Sequence, residues 1–162
     1  MGNFGVYPRE VFVPLLIATH LLAAVVWIGG MAFSLFVLGP ATAPVDLPLR
    51  VAVWFRVLSR FLTWAWVAVV TLLVTGYGMI HTAFGGFSAV GPYIHVMHLL
   101  AWAMFIVLCY LYFVPFRRLQ HMVKHELIPE AGLYLMAIRR LVAVNFGLGM
   151  VTIFVASSGR YL

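Results

Sequence analysis

Charge is what this sequence has least of. Only 9% of its 162 residues are charged, where a soluble domain carries about 25%, so most water-soluble folds are excluded at once. Acid is scarcer still, with four Asp+Glu against ten Lys+Arg. The resulting +6 balance has too little polar surface around it to be a nucleic-acid footprint. One cysteine, Cys109, excludes an intrachain disulfide, and the absence of C-x-x-C-H excludes covalent c-type haem. There is no Gly-rich phosphate loop and no H-E-x-x-H, which removes nucleotide-binding and zincin readings. What is present in quantity is apolar: 65% hydrophobic residues and a mean hydropathy of +1.08 describe a chain whose solvent is a lipid bilayer.

Uncharged runs cover Val11–Val45, Phe61–Phe116 and Leu141–Gly159. A span needs about 20 apolar residues, so the middle run holds two, divided by the turn-forming pairs Gly85-Gly86 and Gly91-Pro92. The expectation is an all-α integral membrane four-helix bundle forming one domain over 1–162, with helices near 11–38, 60–83, 93–116 and 138–158. The first is read as a retained span, not a cleaved signal, because its apolar run is long and carries His20 and Trp27. No internal repeat or low-complexity segment stands out.

Eight of the ten cations fall in two connections: Arg50, Arg56 and Arg60 in one, Arg117, Arg118, Lys124, Arg139 and Arg140 in the other. Only Arg9 and Arg160 lie on the opposite side. The positive-inside rule then predicts an N-out, C-out protein of a bacterial-type inner membrane. The arginines read as topogenic and lipid-headgroup contacts, and Arg50 to Arg60 as including an interfacial helical turn. Tyr7 and Tyr93 fit an interfacial aromatic belt.

Histidines are where a membrane chain should have few. His20, His81, His95 and His98 fall in or at the ends of spans. With N-out topology and about 1.5 Å per residue, His20 sits roughly 13 Å below the outer boundary, His98 about 9 Å, His95 and His81 about 5 Å. Residues three, four and seven apart share a helix face. On the first helix that face is His20, Ala24, Trp27, Met31 and Ser34, with Ala23 and Gly30 beside it. The third aligns His95, His98, Trp102, Phe105 and Cys109. The fourth offers Asn145, Gly149, Thr152 and Ala156, small enough for close helix approach, and the second Tyr77, Gly78 and His81. His121 and His125, four apart, have a spacing that places two imidazoles on one face, but among Gln120, Lys124 and Glu126 they read as solvated surface.

Two imidazoles on facing helices bind the iron of a haem from opposite sides. His20 with His95 or His98 is the natural pair, in a slot lined by Ala24, Gly30, Gly149, Trp27, Trp102 and Phe105, with Asn145 nearby. The primary expectation is therefore a b-type haem protein with an electron-transfer role, possible as a membrane oxidoreductase exchanging electrons with a quinone or another redox protein. The alternative is copper, for which the imidazoles would capture the ion and Met31, Met104 or Cys109 carry it inward. Met97 points about 200° from His95 and does not share its face. Each residue also has a plain role: His81 as an interfacial hydrogen-bonder, Trp27 and Trp102 as aromatic packing, Cys109 as an inert buried thiol. A third reading is a homo-oligomer or a structural subunit of a larger membrane complex.

The stretch His20-Leu-Leu-Ala-Ala-Val-Val-Trp27-Ile-Gly29-Gly30-Met-Ala-Phe33 resembles the first-helix motif of the CopD-like copper-resistance family. Gly76-Tyr-Gly-Met-Ile, Phe84-Gly-Gly-Phe, Gly91-Pro-Tyr-Ile-His95-Val-Met97 and Arg139-Arg-Leu-Val-Ala-Val-Asn145, running on to Gly159-Arg-Tyr-Leu162, resemble it too. That resemblance implies copper binding or translocation. A more distant one is to HemJ-type protoporphyrinogen oxidases, whose haem-associated histidines would correspond to His20 and His95. Met97 stands where that family has a lysine, a departure that argues against oxidase activity.

Overall fold

The structure is a computed structural model and describes residues 8–159; Tyr7 and Arg160 lie outside them. Four long helices are apolar enough to cross a membrane, joined as two antiparallel hairpins. Helix α1 runs Pro8–Phe33, passes through a π-helical turn at Ser34–Leu38 and ends in Gly39–Thr42. Helix α2 is Leu47–Thr82; α3 is Pro92–Leu111, a second π-turn at Tyr112–Phe116, then Arg117–Lys124; α4 is Ile128–Ser158. The all-α membrane bundle expected from the sequence is the fold observed.

Each π-turn accompanies a proline. In α1 the Gly39 N–H reaches back five residues to the Ser34 carbonyl, immediately before Pro40, which has no N–H to give. In α3 Pro115 lies inside the wide turn. The α2–α3 turn uses Gly85 and Gly86 at φ +77° and +117°, a region L side chains avoid, and Gly86 N–H closes it on the Ile80 carbonyl at 2.9 Å.

The helices outrun the uncharged segments at the basic end. Helix α2 begins thirteen residues before the expected 60, capped by Asp46, whose carboxylate accepts from Leu49 N–H. Likewise α3 continues to Lys124 and α4 starts at Ile128. The physical reason is amphipathicity: Val51, Trp54, Leu58 and Leu62 are buried at helical spacing while Arg56 and Arg60 face outward. Scarcity of charge marks where lipid ends, not where a helix does.

The core is a stripe from each helix; on α1 Trp27, Met31 and Ser34 of the expected face are buried, while Ala23, expected beside it, is buried in place of the half-buried Ala24. Leu22, Val25, Phe36, Leu99 and Phe154 are exposed, a surface that suits lipid tails. At the basic end Trp54 donates its indole N–H to Thr42 Oγ1 at 2.8 Å. Thr42 in turn donates to the Leu38 carbonyl at 2.7 Å, and the Arg139 guanidinium lies 5.3 Å from the Trp54 ring centre. Three helices are thus tied together there. Along α2 and α3, Trp66 meets Phe105 and Tyr112 edge-on.

Candidate functional site

The end of the bundle opposite the arginines carries the membrane histidines, and the structure seats them differently. His20 is half-buried between α1 and α2. Its Nδ1 lies 2.8 Å from Thr75 Oγ1, and the Thr75 hydroxyl donates to the Thr71 carbonyl at 2.6 Å. That bond leaves Thr75 Oγ1 able to accept from His20 Nδ1–H, the tautomer in which Nε2 keeps its lone pair. Gly76 makes the room: a Cβ there would stand 3.3 Å from His20 Cε1. Thr75 is 5% exposed, which keeps this hydrogen bond away from competing partners.

His98 is in the opposite condition. Trp102 N–H, a donor only, points at His98 Nε2 from 3.0 Å, and Tyr77 Oη lies 3.5 Å from the same atom. The lone pair a metal would take is already used. Tyr77, Phe87 and Trp102 surround the His98 ring edge-on at centroid distances of 5.5–6.3 Å. His95 is exposed, with Phe87 as its aromatic neighbour at 6.4 Å. His81 is exposed near the end of α2.

His20 and His98 therefore do not face one slot. Their partners Thr75 and Tyr77 are two residues apart, about 200° around α2. The proposed slot lining is also filled by protein: a Cβ on Gly30 would overlap the Phe61 ring, and one on Gly149 would meet Ile28 and Met104 at 3.2 Å. Trp27 is buried core, whereas Trp102 is 38% exposed. Asn145 is buried, and among the described residues its Oδ1 has no hydrogen-bond partner. Among the described residues no three His, Cys, Asp or Glu side chains gather as a metal group.

Thr75 and Gly76 are the site residues that reasoning from sequence missed. The available signal was a hydroxyl beside a glycine in an apolar helix, at a position antiparallel packing brings opposite His20.

Fold and composition define the class as a multi-pass helical membrane protein. Within it, the family described as copper resistance protein D matches residues 55–158, most of the chain, and the protein belongs to that family. The copper-resistance resemblance is thereby supported; the HemJ-type likeness rests on sequence positions alone. No curated protein and no solved structure matches the chain.

Proposed function

We propose that the protein handles copper ions as cargo at the end of the bundle away from the arginines, with Nε2 of His20 as the first donor. The observation that carries this is the Thr71–Thr75–His20 chain. Metal-binding imidazoles characteristically donate their other N–H to a fixed acceptor, and Thr75 stands where it could be that acceptor for His20. Met31 and Met104 are buried deeper, Met31 about 16 Å further along α1, so they would serve as later stations for the ion and not as ligands beside His20. An imidazole with thioethers suits Cu(I). On the positive-inside rule the arginine end is cytoplasmic, so His20 would receive the ion from outside an inner membrane.

The test is metal analysis of the detergent-purified chain after loading with Cu(I), alongside reduced and oxidised visible spectra. Stoichiometric copper that is lost in His20→Ala supports the proposal. A Soret band with a sharp reduced α-band, lost in the same variant, assigns His20 to a b-type haem instead. Full copper retention by His20→Ala overturns the donor assignment.

A further inference from the structure

Outside that site, the basic end holds a second pair of metal-ligating side chains. His121 and His125 occupy adjacent turns at the end of α3, where His125 N–H donates to the His121 carbonyl at 3.1 Å and so fixes the i, i+4 relation. Both side chains are exposed. Their ring centres stand 4.4 Å apart at an interplanar angle of 42°. Two imidazoles on one ion have metal–nitrogen bonds of about 2.0 Å, which puts each ring centre roughly 3.2 Å from the metal. Cis ligands at about 90° then have centres ~4.5 Å apart and tetrahedral ones ~5.2 Å, so the rings already stand at a separation that two imidazoles on one ion would have.

We propose that His121 and His125 form a two-imidazole site for a divalent transition-metal ion, with water completing the coordination. Part of the preorganisation comes from the end of α3, where His125, the residue that caps Arg117–Lys124, is kept one turn from His121 by that backbone bond. Arg117, Arg118 and Lys124 share this segment, and their charge opposes tight retention of a cation. The site rests on these two residues and is independent of the reading of His20.

The experiment titrates the detergent-solubilised full chain with Cu(II) and with Ni(II), and records the Cu(II) electron paramagnetic resonance spectrum for nitrogen coupling. Wild-type protein is expected to show two coupled imidazole nitrogens. His121→Ala and His125→Ala are each expected to weaken binding about tenfold or more, through loss of the chelate, and to leave one nitrogen. His20→Ala is expected to leave this signal in place. Affinity and nitrogen count unchanged in both single variants would overturn the proposal, and circular dichroism of each variant separates that result from lost helix.

Discussion

Trp102 points its indole N–H at Nε2 of His98, 3.0 Å away and one turn back along α3. The contact separates two histidines that share a membrane half in sequence: His98 accepts at Nε2, whereas the partner of His20, Thr75, lies on Nδ1. Trp102→Phe keeps the aromatic surface and removes the donor. The expected result is several-fold faster modification of His98 by an imidazole-directed acylating reagent, followed by mass spectrometry of the peptide. An unchanged rate would mean that the indole does not shield the nitrogen.

Thr75 should behave as a positioning residue for His20. Thr75→Val preserves shape and deletes the acceptor, so the imidazole loses the contact that selects its tautomer. Second-sphere partners of this kind contribute about 10–100-fold to metal affinity, and a drop in Cu(I) affinity of that order is expected. Thr75→Ser, which keeps the hydroxyl, should restore most of it. A competition titration against a Cu(I) chelator reads both variants, and equal affinities for Val and Ser would remove Thr75 from the site.

Much of this was legible before any coordinates, and the rest was hidden for identifiable reasons. Trp27, Met31 and Ser34 follow from helical phase alone and are buried, but the stripe is turned slightly, so that Ala23 is buried and Ala24 only half so. The starts of α2 and α4 were not legible from charge-free runs, because Trp54 and Leu58 bury one face of a helix whose other face carries Arg56 and Arg60. Pairing His20 with Thr75 depends on the antiparallel register of α1 and α2, which the intervening connection sets and no local pattern encodes. His121 and His125 show the reverse: their spacing was plain, but only the ring separation turns a solvated face into a pair of donors.

Close packing at Gly30 gives a further prediction. A methyl group there would overlap the Phe61 ring, and overpacking a tight contact costs typically about 1–3 kcal/mol. Gly30→Ala is expected to lower the melting temperature in detergent, and Gly30→Ala with Phe61→Leu to recover part of the loss. The double variant must melt above the single one for the contact to be the cause.

Asn145 is the least comfortable residue in the bundle. Its side chain is 2% exposed and its Oδ1 has no hydrogen-bond partner among the described residues, a condition that costs about 1–3 kcal/mol for a buried polar group. If stability alone set this position, leucine, similar in size and apolar, would serve better. Asn145→Leu should therefore raise the melting temperature of the purified protein. Copper transport in proteoliposomes is the second readout. A more stable variant with undiminished transport would make the amide dispensable, whereas greater stability with reduced transport would place its carbonyl oxygen on the route between the buried thioethers. A fall in melting temperature would instead mean that the amide satisfies a partner within the folded protein.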